Sequence, residues 1–152
     1  MKSAWKMLVL LFVVGLASIK PVGAASIFYN LKKKTEVRFS PSQESPVKFS
    51  LYRKVPVKVV RKYQDWCFIR ESEGEEGWIP ENMIFQGGMA LLIKNAFLKK
   101  EKDLHSSNLA QLSKGLLVKL KDCQGTVCRV ETKIGKKALK GWVSKETLWG
   151  AE

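Results

Sequence analysis

Apolar positions in this chain fall in short alternating runs, not in helical arcs. The first set is Glu36 to Phe39, Val47 to Leu51, Val55 to Arg61, Trp66 to Arg70 and Gly77 to Pro80. Each is about one strand long and is bounded by turn residues. Ser40-Pro41-Ser42 and Glu73-Gly74 punctuate the runs, and no stretch keeps a helical period. Asn82 to Phe85 reads as a single 3₁₀ turn before a last short strand. A second set follows: Met89 to Ile93 as a buried opening strand, then Ala96 to Lys99, Leu109 to Leu112, Leu116 to Lys121, Val127 to Thr132 and Gly141 to Val143. The pattern predicts an all-β protein.

The second set repeats the first. Asp65-Trp66-Cys67-Phe68-Ile69-Arg70, leading into Gly77-Trp78-Ile79-Pro80-Glu81-Asn82-Met83-Ile84, is matched by Thr126-Val127-Cys128-Arg129-Val130-Glu131, leading into Gly141-Trp142-Val143-Ser144-Lys145-Glu146-Thr147-Leu148. Upstream, Val57-Lys58-Val59 corresponds to Val118-Lys119-Leu120 and Val37-Arg38 to Leu98-Lys99. A period of this size means two copies of one small unit. Gln86-Gly87-Gly88 marks the expected boundary, giving copy one as residues 25–86 and copy two as residues 87–152. Units this small bury little core, so a shared interface or a covalent staple is expected to help. With so short a linker, the copies should pack as a semi-rigid pair.

Residues 1–24 have the pattern of an export signal. Lys2 and Lys6 precede an apolar stretch from Met7 to Leu16, and Val22-Gly23-Ala24 supplies small residues at a cleavage site. The alternative is an uncleaved anchor, but the run is well short of the roughly 20 residues that a span needs. No cysteine near the cleavage site suggests a lipoprotein, and no later run is long enough to span a bilayer. The expectation is a periplasmic or secreted protein after cleavage.

The chain has 27 basic and 14 acidic residues; without the three lysines of residues 1–24 the net charge is +10. The surplus is uneven, with 11 basic against 8 acidic residues in copy one and 13 against 6 in copy two. One equivalent loop holds the sharpest contrast. Copy one reads Glu71-Ser72-Glu73-Gly74-Glu75-Glu76, whereas copy two has an insertion three residues longer, with Lys133, Lys136, Lys137 and Lys140. These lysines are a candidate basic surface for anionic envelope polymers or for an acidic partner loop, or simply a solvated hairpin tip. Only five of the 27 basic residues are arginine, which weighs against bidentate reading of phosphates or bases.

Cys123 and Cys128 flank a turn between two strand-like runs, where facing positions suit a disulfide. An exported protein meets the oxidising conditions that such a bond needs. Two separate buried thiols are the alternative, and a metal site is poorer still because the only histidine, His105, lies elsewhere. Cys67 occupies the position of Cys128 in copy one, with Lys62 in that of Cys123, and reads as a half-buried free thiol.

Trp66 followed by Arg70 and then Gly77-Trp78-Ile79-Pro80-Glu81-Asn82 resembles the second half of an SH3-type barrel. With Val37-Arg38-Phe39-Ser40-Pro41-Ser42, Tyr52-Arg53, Pro56-Val57, the Cys123…Cys128 hairpin and the duplication, the chain resembles exported bacterial SH3-like (SH3b) proteins of Gram-negative bacteria. The resemblance implies two small SH3-like β-barrels in tandem. It also implies binding to peptidoglycan or to envelope proteins that process it. Ser40 stands where the family's turn has glycine, and Leu98-Lys99-Lys100-Glu101 lacks the turn motif altogether.

Copy two has Val127 in place of Trp66 and Ser144 in place of Pro80, so the candidate groove is placed in copy one. Its residues are Trp66, Pro80, Asn82, Met83 and Tyr52. Trp78 and Trp142 are expected to plug the cores, and Trp149 to pack the last strand against the interface. One histidine and no nucleophile with an identifiable base argue against an enzyme. The acidic loop is expected to be solvated, with ordinary carboxylates. The expected protein binds without catalysis and without cofactor or small-molecule substrate. Its expected partner is peptidoglycan or an envelope protein. A scaffold acting through the basic hairpin is the alternative, and nucleic-acid binding is disfavoured by export and the scarcity of arginine.

Overall fold

The computed structural model describes residues 27–151; the expected export signal lies outside them. Each copy folds into one seven-stranded antiparallel sheet. In copy one the strands are β1 (Phe28–Leu31), β2 (Thr35–Arg38), β3 (Val47–Leu51), β4 (Pro56–Tyr63), β5 (Trp66–Arg70), β6 (Glu76–Pro80) and β7 (Ile84–Phe85). Copy two runs β8 (Met89–Leu92), β9 (Ala96–Lys99), β10 (Asn108–Leu112), β11 (Leu117–Gln124), β12 (Val127–Ile134), β13 (Lys137–Ser144) and β14 (Leu148–Trp149). The neighbour orders, β3-β2-β6-β5-β4-β1-β7 and β10-β9-β13-β12-β11-β8-β14, are the same path walked twice. A 3₁₀ turn precedes the last strand of each, Glu81–Met83 and Lys145–Thr147. The protein is all-β, with two SH3-like units in tandem.

The period-two pattern explains the cores, because alternate strand residues point to one face. Leu31, Val37, Val57, Cys67, Ile69, Ile79 and Ile84 form the buried cluster of copy one. Ala90, Leu92, Leu98, Leu112, Val118, Cys128, Val130, Val143 and Leu148 form that of copy two. A fully buried leucine or isoleucine stabilises such a unit by about 1.5–3 kcal/mol. Glycine closes both units at the same point. A Cβ on Gly77 would lie 2.5 Å from Val37 Cγ1 and 2.9 Å from the Arg38 carbonyl oxygen, and one on Gly141 would meet the Lys99 carbonyl and Leu98 Cγ. Backbone crosses backbone there, so no side chain fits.

That crossing also decides which face Trp78 takes: it is buried, as expected, but apart from the Leu31–Ile84 cluster. Gly77 and Ile79 take the inward phase of β6, which turns Trp78 to the opposite face. There it is only 9 % exposed, covered by Phe68 (ring centroids 5.1 Å apart) and Tyr63 (6.4 Å). Its counterpart Trp142 is only half-buried. The first strand, β1, was not among the expected runs.

Cys123 and Cys128 face each other in register and are disulfide-bonded. Cys67 is the free cysteine among the described residues, and it is fully buried rather than half-buried. Burial pushes its thiol up from the ordinary cysteine value, which keeps it protonated and unreactive. The longer loop of copy two extends the β12–β13 pairing into a two-stranded ribbon that ends at Gly135 (φ 60°).

The copies are bonded to each other. The Asn30 amide donates to the carbonyls of Lys54 (2.9 Å) and Met89 (3.1 Å), and its oxygen accepts from the Met89 N–H (3.3 Å). Trp149 packs edge-on against Phe28, with centroids 4.9 Å apart, and its indole N–H donates to the Pro56 carbonyl at 3.1 Å. Trp149 thus joins the last strand to the other copy, as expected. Glu73 in the acidic loop reaches Lys114 of copy two at 3.0 Å.

Candidate ligand groove and its copy-two counterpart

Strand β5 begins at Trp66 directly opposite Pro80, the last residue of β6. The Glu81 N–H donates to the Asp65 carbonyl (2.8 Å), which holds the following 3₁₀ turn beside the β4–β5 hairpin. Trp66, Pro80 and Asn82 are thereby gathered, with Asp65, Glu81 and Gln43, around a hollow of about 530 Å³. A second hollow, of about 330 Å³, is lined by Pro80, Met83, Gln43, Arg38, Lys34 and neighbours. Pro80 and Gln43 border both, so the two form one groove. Tyr52 lies in the turn between β3 and β4, is 73 % exposed and lines neither hollow. Sequence reasoning missed Gln43, Asp65 and Glu81.

The far wall of the groove is the β2–β3 loop, which Arg38 ties down. Its guanidinium donates to the Ser45 carbonyl at 2.6 Å and to Glu36 at 2.6 Å, while buried Ser45 accepts from the Ser40 N–H (3.0 Å). Copy two keeps this arrangement although its sequence motif is gone. Lys99 donates to the Ser106 carbonyl (3.3 Å), and Ser106 Oγ accepts from the Glu101 N–H (3.2 Å). At the Trp66 end Lys62 and Glu81 form an ion pair, and the hydrogen bond to Glu81 holds the Lys62 ammonium above its usual value.

The acidic loop is less solvated than expected. Glu71 is buried, and its carboxylate accepts from the backbone N–H groups of Glu73 (2.8 Å) and Glu75 (2.9 Å). A six-residue stretch with four acids reads as a solvated tip, but one carboxylate turned inward closes the loop on itself.

Copy two has an equivalent hollow of about 430 Å³, lined by Gly125, Thr126, Ser144, Lys145, Glu146 and Ala151. The Lys145 N–H donates to the Thr126 carbonyl at 2.8 Å, as Glu81 does to Asp65. Val127 replaces Trp66 and is 6 % exposed, so this hollow has no aromatic wall. Lys133, Lys136, Lys137 and Lys140 lie exposed along the ribbon. Lys140 approaches Glu131 at 3.9 Å, and Lys121 bonds Glu131 at 3.0 Å, which holds that carboxyl below the usual range. Lys133, Lys136 and Lys137 make no ion pair among the described residues. No cluster of His, Cys, Asp and Glu able to hold a metal occurs among the described residues. None of the helices there is long and apolar enough to cross a membrane.

Residues 32–84 match the family model described as a bacterial SH3 domain. Copy one is therefore a bacterial SH3-like domain, and the shared strand order extends that fold to copy two. No curated protein matches the chain. Among solved structures, it resembles NlpC2 of Trichomonas vaginalis (11% identity, TM-score 0.38, 82% of this chain and 48% of that one). NlpC1 of the same organism is similar at 12% identity and TM-score 0.38, over 85% of this chain and 47% of that one. An NlpC/P60 family protein of Bacillus cereus is similar at 14% identity and TM-score 0.36, over 80% and 55%. The chain spans about half the length of these structures. Scores this low assign neither activity nor partner.

Proposed function

We propose that the protein is an exported, non-enzymatic binding module of the cell envelope, whose copy-one groove holds peptidoglycan or a protein that processes it. The observation that carries this reading is Trp66. The fold accepts a buried valine at the same position of copy two, so it does not require an indole there. In copy one the indole stays half-buried at the wall of a 530 Å³ hollow. Indole combines a large apolar surface with one donor, which suits a sugar face or a peptide.

Co-sedimentation of residues 25–152 with purified peptidoglycan, at low and moderate salt and beside Trp66→Ala, tests the reading. These residues include every element described above. Retention of the wild type and its loss in the variant are expected. Absence of retention at both salts would remove peptidoglycan as the ligand.

A second reading has one observation in its favour. Lys133, Lys136 and Lys137 stand exposed and free of ion pairs among the described residues, as a scaffold for an acidic envelope protein would need. Binding through them would weaken steeply with salt and survive Trp66→Ala.

A further inference from the structure

The outer face of β4, β5 and β6 carries a row that the groove does not use. Arg61, Phe68 and Trp78 are cross-strand neighbours in register. The Arg61 guanidinium lies 4.5 Å from the Phe68 ring centroid and 5.3 Å from that of Trp78. A register shift between Val59 and Arg61 aims this side chain onto the rings, as bulges beside binding sites do. Beside it, Pro41, Arg61, Lys62, Tyr63 and Trp78 line a hollow of about 360 Å³. Tyr63 there is 55 % exposed.

The same row in copy two is built differently. The register shift recurs between Leu120 and Asp122, but the row reads Asp122, Arg129, Trp142, and Arg129 is bonded to Asp122 at 2.8 Å. Its cation is neutralised within the row. Arg61 makes no ion pair among the described residues, and neighbouring Lys62 is committed to Glu81. Copy one therefore presents a single guanidinium, stacked on aromatic rings, with its donors open to solvent.

We propose that this shelf is a second binding site, for a saccharide that carries a carboxylate. The carboxylate pairs with Arg61 while the C–H face of the ring packs on Tyr63. One planar, weakly hydrated cation suits one carboxylate per ring. A phosphate polymer gains its affinity from several cations along a track, which this face lacks. An extended peptide is disfavoured too. β4, β5 and β6 are interior strands of the sheet, so the face offers no free backbone ladder for a peptide strand to join.

The test is an NMR titration of residues 25–152 with three probes: a uronic acid oligosaccharide, a neutral N-acetylglucosamine oligosaccharide and a poly-glutamate peptide. The acidic saccharide alone is expected to shift the Trp78 indole N–H and the amides of residues 61–63. Arg61→Gln should weaken it about tenfold, in the range for loss of a charge-assisted bond, and Arg61→Lys should restore part of the loss. Shifts at residues 61–63 and Trp78 without shifts at Asn82, which lines only the groove, separate the shelf from the groove. The amide spectrum of each variant reports that it is folded. Equal shifts with the neutral probe, binding of the peptide instead, or no shifts at millimolar probe would overturn the proposal.

Discussion

Copies one and two follow the same chain path but hold it by different means. Copy two closes its β11–β12 hairpin with the Cys123–Cys128 disulfide, whereas copy one has Lys62 opposite Cys67 at the same register. Copy two places glycine where the backbone turns left-handed, at Gly115 (φ 88°) and Gly125 (φ 63°). Copy one bears that conformation on Lys54 (φ 69°) and Gln64 (φ 50°). Yet copy one has the more sharply made groove, with an indole wall and an arginine that ties its loop. The difference teaches that path and site are separable here. The unit with the indole-walled groove lacks the staple and the favourable turn residues.

The largest effect should fall on what the copies share. Gly77→Ala and Gly141→Ala each force a Cβ into a crossing backbone. Each should cost about 3 kcal/mol, the upper part of the range for overpacking, as read by thermal unfolding. Tolerance at one copy alone would break the equivalence of the two crossings. Next come the staples. Reducing the disulfide should cost copy two about 2 kcal/mol on the loop-entropy estimate, and should leave amide exchange in β5 unchanged. Lys62→Cys should form the matching bond with Cys67 and raise copy-one stability by a similar amount. Failure to oxidise would show that the registers differ more than their pairing suggests.

Smaller effects sharpen the contrast in the loops. Arg38→Ala should destabilise copy one by about 1.5 kcal/mol, because the guanidinium serves two short bonds. Lys99→Ala, with its one bond at 3.3 Å, should cost copy two less than about 1 kcal/mol. Hydrogen exchange in β3 and β10 separates the two. The smallest change is a gain. Lys54→Gly and Gln64→Gly relieve left-handed backbone at the cost of added chain entropy, so each should stabilise copy one by about 0.5 kcal/mol. A loss on thermal unfolding would mean that those side chains make contacts worth more than the strain.

The succession of strands along the chain, β1 excepted, was legible because period two and the duplication reinforced each other, each copy checking the other's runs. What escaped depended on bonds between distant segments. β1 was missed because its polar Asn30 looks misplaced in a strand, and its burial makes sense only once Met89 of the other copy accepts and donates to it. Trp78 is buried as expected, but Gly77 and Ile79 on either side already marked that it takes the opposite face of its strand from the Leu31–Ile84 cluster. Of the candidate groove, Trp66, Pro80 and Asn82 were recognisable from one motif because they lie within one hairpin and its turn. Gln43 reaches the same hollow from a separate loop, and the burial pattern carries no trace of that. Tyr52 was included on a motif alone, and it lines neither hollow.

The amide of Asn30 has a mechanical consequence. A side chain that bonds one copy's turn and the other copy's first strand at once replaces a swivel with a joint, and the indole of Trp149 braces that joint from the opposite end of the chain. A body that touches both the Trp66 groove and the lysine ribbon would then lose no entropy in freezing a linker. The distance between the two is set by the fold, so a body that reached both would be held to that spacing as against a ruler, where a tether would merely gather it.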